Sequence, residues 1–306
     1  MVTPRRILVL VNPAAGSGRA RLLVPALASL FQKHGVAATF CEPRDSADLE
    51  QRASAGVSQH DAILVMGGDG TFQHVVRATL GSPALFGILP VGGGNDVAAA
   101  LGIPKDPIAA AAVFLSGMPR PMDVLRARFS NGSSAIYLGG GGVGLDAAAA
   151  RLASGRFSRW PGAARYFASA LWALKGYVAP AAEVELDGAR ISAGEPLLLA
   201  VVTNTPTYGA GVRIAPEAAI NDGLLDVTLV DDLSLLRVLE AFPVLLRTGD
   251  LRWPEVNRFR GRRAILRTER PMPFHGDGEA LGETPVEIDV LPRAIQVIAP
   301  GRGGLS

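Results

Sequence analysis

Short apolar runs and helical patterns alternate through the first third of the chain. Ile7–Val11 is continuously apolar between Arg5-Arg6 and Asn12-Pro13, the pattern of a strand buried on both faces. A glycine-rich turn follows, and then Leu22, Leu23, Leu27 and Leu30 mark a helix over Arg19–His34. Ala37–Cys41, Ala62–Met66 and Phe86–Leu89 predict three further strands, with Ser46 and Glu50 opening a helix after the second. This alternation predicts a parallel sheet covered on both faces, a three-layer α/β domain. In such sheets ligands bind at the loops leaving the C-terminal ends of strands, where every glycine-rich loop of this region lies.

After about Asp123 the pattern changes. Leu125–Phe129, Ile136–Leu138, Val184–Leu186, Leu197–Thr203, Leu225–Val230, Ala264–Arg267 and Val286–Val290 read as strands joined by turns such as Asp187-Gly188. The expectation is an antiparallel, sandwich-like second domain interrupted by helices near Ala163–Lys175 and Leu233–Thr248. Residues 1–123 and 124–286 are the expected domains. Neither a flexible Gly/Ser linker nor an internal repeat separates them.

Composition narrows the class. A chain of 306 residues that is 48% hydrophobic and 19% charged is globular and long enough for two cores. Thirty basic against 28 acidic residues excludes nucleic-acid binding by bulk charge, so no nucleic-acid partner is expected. The single Cys41 fits a reducing compartment. No run approaches the roughly 20 apolar residues of a membrane span, and no secretory leader is recognisable, so the expected location is cytoplasmic.

Three loops carry the chemistry. In Val65-Met66-Gly67-Gly68-Asp69-Gly70-Thr71, glycines follow a strand and precede a helix, so backbone N–H groups can approach phosphate oxygens. Asp69 is placed to act on those phosphates through Mg²⁺, and Thr71 is expected to cap the helix. A plain Asp-Gly turn is the bland alternative, disfavoured by the strand-to-helix position. Asn12-Pro13-Ala14-Ala15-Gly16-Ser17-Gly18 and Pro90-Val91-Gly92-Gly93-Gly94-Asn95-Asp96 leave the first and fourth strands. Neither a Walker A loop nor a good dinucleotide fingerprint is present.

These loops, in this order and spacing, resemble the diacylglycerol kinase catalytic family, which includes bacterial lipid kinases and the sphingosine and ceramide kinases. The resemblance extends through Asn204-Thr205-Pro206-Thr207-Tyr208-Gly209-Ala210-Gly211, Ala215-Pro216-Glu217-Ala218, Asn221-Asp222-Gly223-Leu224-Leu225-Asp226 and Asp277-Gly278-Glu279. It implies an NAD kinase/diacylglycerol kinase-like nucleotide-binding domain followed by the β-sandwich-like domain, with about Glu287–Gly304 returning to the first. It implies that Asn12, Gly67, Gly68, Asp69, Gly70, Thr71, Gly93 and Asn95 bind ATP. Glu279, with Asp69 and Asp96, would carry catalysis, Glu279 as proton acceptor. It further implies a structural Mg²⁺ held by Asp222 and by the backbone carbonyls of Ala219 and Leu224. The cofactors implied are ATP and Mg²⁺. The partner implied is a membrane lipid met by transient peripheral contact at the inner membrane face, and a homodimer is admitted.

The chain departs from the family pattern at Gly93, where a threonine is usual, at His74 (glutamate), at Ala99 (arginine) and at Gly139 (asparagine). A soluble NAD-kinase-like enzyme and a nucleotide-binding regulator without turnover are the competing readings. His34, His60, His74 and His275 lack metal-ligand spacing. Arg151, Arg156, Arg159, Arg165 and Lys175 alternate with Phe157, Trp160, Tyr166, Phe167 and Trp172, which suits either an anionic membrane interface or a half-buried helix. Arg258, Arg260, Arg262, Arg263, Arg267 and Arg270 read as a solvated strand face, and Asp226 as support for the turn at Asp222.

Overall fold

The computed structural model describes residues 4–145, 149, 152, 155, 162–209 and 211–301; in the helix beginning at 162, side chains are described from residue 168. Contacts group the chain into two units, Met1–Met122 with Arg293–Ser306, and Asp123–Pro292.

The first unit is built on a parallel sheet. Strands β1 (Arg6–Val11), β2 (Ala37–Cys41), β3 (Ala62–Gly67) and β4 (Leu85–Pro90) lie in the order β4-β3-β1-β2. The second half of β15 (Val286–Ala299) joins β4 in parallel, pairing Gln296 with Leu85 and Val297 with Phe86. Helices α1 (Arg19–Lys33), α2 (Ser46–Gly56), α3 (Asp69–Thr79), α4 (Asp96–Ala100) and α5 (Pro107–Ser116) fill the connections. Successive residues of β4 reveal the two covered faces. Phe86 meets Phe72 of α3 edge-on, 6.0 Å between ring centres, whereas a Cβ on Gly87 would lie 2.4 Å from Phe114 of α5. Phe114 in turn packs on Phe31 of α1 at 6.4 Å. The three layers follow from continuously apolar strands that must be covered on both sides. The cap of α2 is Asp45, which accepts the Asp48 N–H at 2.8 Å, one residue before the serine expected to open it.

The second unit is antiparallel. It contains most of β5 (Met118–Phe129), then β6 (Ser134–Tyr137), β7 (Gly140–Gly144), β8 (Ala181–Leu186), β9 (Ala189–Thr203), β10 (Leu225–Asp231), β11 (Val256–Gly261), β12 (Arg263–Thr268), β13 (Pro273–Gly276) and β14 (Glu279–Glu283), with helices α6 (Gly162–Leu174) and α7 (Leu235–Arg247). The first part of β9 pairs with β8, and its second part lies between β7 and β10. One strand thus passes from sheet to sheet after Pro196, two residues beyond a bulge in its first part at Gly194, φ 107°. Leu125, Val184, Leu266 and Ile288 from one sheet and Val202, Val227, Leu229 and Phe274 from the other share one core.

Four of these strands, β7, β11, β13 and β14, have no counterpart among the strands expected from the sequence. The clearest case is β7, Gly-Gly-Gly-Val-Gly, which has almost no side chains to alternate. Its glycines are required by close approach: a Cβ on Gly141 would lie 2.6 Å from the His275 carbonyl oxygen. Arg151, Arg156, Phe157, Arg159 and Trp160 lie outside the described residues, as do Ala210 and the side chains of Arg165, Tyr166 and Phe167.

Candidate active site

β1, β3 and β4 each run out into a glycine-rich loop, and hydrogen bonds tie the three loops together. Asn12 donates its N–H to the Met66 carbonyl at 2.9 Å and its side-chain amide to Thr71 Oγ1 at 2.9 Å. Gly16, at φ 59°, approaches Val91 so closely that a Cβ would lie 2.9 Å from its carbonyl oxygen. The N–H groups of Val91 and Gly92 donate to the Gly67 carbonyl at 2.9 and 3.3 Å. A Cβ on Gly92 would stand 2.5 Å from Gly68 Cα, so the second and third loops meet glycine to glycine.

Asp69 makes the longest reach. It begins α3, but its carboxylate crosses to α4, where Oδ2 accepts the Asp96 N–H and Oδ1 the Val97 N–H, both at 3.0 Å. The donors left open in the first turn of α4 are satisfied by a charged acceptor from another loop. Burial pushes the Asp69 carboxyl up to about 6, and the nearby Asp96 carboxylate adds to the rise. The N–H groups of Val97, Asp96 and Asn95 oppose it. Asp96 itself is buried.

Thr71 does not cap its helix, because α3 starts from Gly68 without a side-chain cap and the buried threonine hydroxyl receives Asn12 instead. Asn95 precedes α4 at φ 59° without capping it. Its side chain closes the third loop on Gly92, donating to the carbonyl at 2.8 Å and accepting the N–H at 3.1 Å. Gly93 is exposed, lies outside the left-handed region, and a Cβ there would meet no atom within 4 Å. Gly70 has the same open space.

In the second unit, Glu279 opens β14 directly after Asp277-Gly278, a turn with φ of 50° and 89° that joins β13 to β14. The Asp277 carboxylate accepts the N–H groups of Leu138, Gly139 and Gly140 at 2.6, 2.9 and 3.2 Å. Its own N–H donates to the Gly140 carbonyl at 2.9 Å. A charged acceptor shared by three donors binds the β6–β7 connection to the hairpin that presents Glu279. Asp277 is a positioning residue that sequence reasoning quoted without a role; an Asp-Gly pair between strands was the available signal.

The Asp222 turn is closed by its own groups. Gly223 sits at φ 75° and donates its N–H to Asp123 Oδ2 at 2.7 Å. Asp123, fully buried and also missed from sequence, donates its N–H to the Ile220 carbonyl at 2.9 Å and accepts the Asn204 amide on its carbonyl at 3.0 Å. Asp222 Oδ1 accepts the Leu224 N–H at 3.0 Å, and Oδ2 pairs with the Arg260 guanidinium. Arg260 also holds Asp226 Oδ1 at 3.0 Å. Burial pushes the Asp226 carboxyl up to about 6 against the pull of Arg260. A divalent ion would need the Asp222 carboxylate together with the carbonyls of Ala219 and Leu224. That carboxylate already serves an N–H and a guanidinium, and Ala219 and Leu224 can add only neutral carbonyls beside the arginine charge. The donor set does not fit a resident ion.

The departures at other positions have local explanations. His74 Nδ1 contacts Glu50 Oε1 of α2 at 2.6 Å, and Arg77 pairs with the same carboxylate, so His74 joins α3 to α2. Ala99 is exposed on α4. The arginine-rich face is less free than expected: Arg263 pairs with Glu287 at 2.8 Å and Arg267 with Glu185 at 2.6 Å. Arg258 donates to the carbonyls of Ile214, Leu251 and Gly249 at 3.0, 3.3 and 2.8 Å.

Residues 6–127 match the diacylglycerol kinase catalytic domain, and residues 141–299 match the YegS C-terminal NAD kinase beta sandwich-like domain. Over 304 residues the chain is 30% identical to a diacylglycerol kinase of Mycobacterium tuberculosis, spanning 97% of this chain and 96% of that protein. It is 29% identical over 308 residues to a probable lipid kinase YegS-like of Serratia proteamaculans, spanning 98% and 96%. The fold is that of a putative diacylglycerol kinase from Bacillus anthracis str. Sterne, at a TM-score of 0.78 and 23% identity over 98% of this chain and 99% of that one.

The raised Asp69 pKa sets a direction for stability. Between the ordinary value of 3.8 and about 6, the folded chain holds more protons at Asp69 than the unfolded chain. The stability Asp69 contributes therefore falls as pH rises through that window and is flat above it. Wild type should gain stability relative to Asp69→Asn when the pH is lowered from about 7 to about 4.5. Urea midpoints of both proteins at the two pH values check this, and identical shifts would contradict it.

Proposed function

Because the chain belongs to the diacylglycerol kinase family of lipid kinases, we propose that it transfers the γ-phosphoryl group of MgATP to a hydroxyl of a membrane lipid, of the diacylglycerol, phosphatidylglycerol or sphingoid kind. The observation that carries this reading is the set of three cross-tied loops at the carboxyl edge of the parallel sheet. Phosphoryl transfer needs positioning and charge neutralisation more than covalent catalysis. The loops supply positioning: Asn12, Gly67, Gly68, Gly70, Thr71, Gly93 and Asn95 form the cradle, and Asp69 fixes the start of α4 beside Asp96. Mg²⁺ arrives with ATP as part of the substrate. The lipid oxygen attacks the γ-phosphorus, the bond from that phosphorus to the bridging oxygen of ADP breaks, and Glu279 takes the hydroxyl proton.

His74 contacts Glu50 and so ties α3 to α2, a role within the helical layer that is compatible with turnover. A lipid acceptor, as against soluble NAD, is favoured by α7. Its Leu235, Leu236, Leu239 and Leu246 are between 38 and 65% exposed, and Trp172 of α6 is also exposed. Such a face suits transient contact with the inner leaflet, since no helix among the described residues is long and apolar enough to cross a membrane.

Incubation with labelled ATP and a total lipid extract should label a lipid; label appearing only in NAD would replace this reading. Glu279→Gln should lower turnover by roughly 10²–10⁴ while ATP binding persists, and near-normal turnover would remove Glu279 from the mechanism. Gly93→Thr has room for its side chain and should tighten ATP by roughly 2–12-fold, the worth of one hydrogen bond, at unchanged melting temperature. Calorimetric titration reads it, and unchanged affinity would place position 93 away from the nucleotide. Leu236→Asp with Leu239→Asp should weaken sedimentation with anionic vesicles without lowering ATP affinity; undiminished sedimentation would move the contact elsewhere.

A further inference from the structure

We propose that Arg260 is the resident cation of the Asp222 turn, its guanidinium standing where the family resemblance would place a metal ion. Asp222 and Asp226, four residues apart, share one guanidinium at this corner, and Asp226 is buried. Carboxylates gathered at a strand entrance repel each other unless a positive charge joins them. Arg260 lies directly opposite Asp226 in the β10–β11 ladder, so the strand pairing delivers its guanidinium to the corner. There it contacts Asp226 Oδ1 at 3.0 Å and pairs with Asp222 Oδ2, a bridge that suits the planar fork of arginine. The remaining contacts of the turn are Gly223 N–H to Asp123, Leu224 N–H to Asp222 and Asp123 N–H to the Ile220 carbonyl. They close it by direct hydrogen bonds. A divalent ion on the Asp222 carboxylate would sit against the arginine charge.

This inference rests on the family membership and not on the reaction, so it is tested on nucleotide-free full-length protein, where failure to phosphorylate a lipid has no bearing. Mn²⁺ is titrated and followed by electron paramagnetic resonance, and melting temperatures are compared in Mg²⁺ and in chelator. Wild type should bind no stoichiometric Mn²⁺ and melt equally in both. Arg260→Met should melt lower, gain one Mn²⁺ site, and recover part of the loss in Mg²⁺. The double variant with Asp222→Asn should lose that site. A wild-type Mn²⁺ site abolished by Asp222→Asn would overturn the proposal, and so would an Arg260→Met protein that folds but gains no site. If Arg260→Met fails to fold, the wild-type and Asp222→Asn titrations decide the matter, with Arg260→Lys expected to exclude Mn²⁺ as wild type does.

Discussion

The carboxylate of Asp69 accepts two N–H groups from the start of α4, and the arrangement of the loop edge of the parallel sheet depends on this contact. It joins the loop leaving β3 to the loop leaving β4. The same two loops meet through Gly68 and Gly92, an approach that any side chain would block. Glycine permits proximity but does not enforce it. The charged acceptor enforces it, at the cost of a buried carboxyl beside Asp96. Asn12 then ties the first loop to Thr71, and Asn95 folds the third loop on itself. The cradle is assembled by its own polar groups, which is what a site that works by preorganisation requires.

The second unit uses the same device. Asp277 gathers three N–H groups around the hairpin that presents Glu279, and Asp187 accepts the N–H groups of Arg262 and Arg263 beside the β8–β9 turn. Asp123 does so for Gly223. In each case a carboxylate fixes the backbone of a turn remote in sequence. Arg260 completes the pattern from the opposite sign of charge.

Much of the first unit was legible because its strands are apolar runs and α1 carries periodic leucines. The order of the loops followed from that, and so did their position at one edge. In the second unit β8, β10 and β12 could be read from their apolar residues, whereas β7 could not, since four of its five residues are glycine. The passage of β9 between two sheets was likewise hidden, because one continuous strand has no mark for a change of partner. Thr71 was misread as a cap for a related reason. Local sequence shows a hydroxyl near a helix start, but the competing partner, Asn12, is chosen by tertiary contact. The turn at Asp222 was recognisable as a motif, while Arg260, 38 residues away, was read only as part of a solvated face.

The central claim is that Asp69 acts by holding two loops in register, in addition to anything it does through the metal of MgATP. Calorimetric titration of ATP in the presence of chelator, into wild type and Asp69→Asn, tests this directly. With no metal to bind, the account predicts weaker ATP binding by the variant, because an asparagine presents one acceptor to two N–H groups and loosens α4. Equal or tighter metal-free binding by Asp69→Asn would contradict it, leaving Asp69 to act through the metal alone.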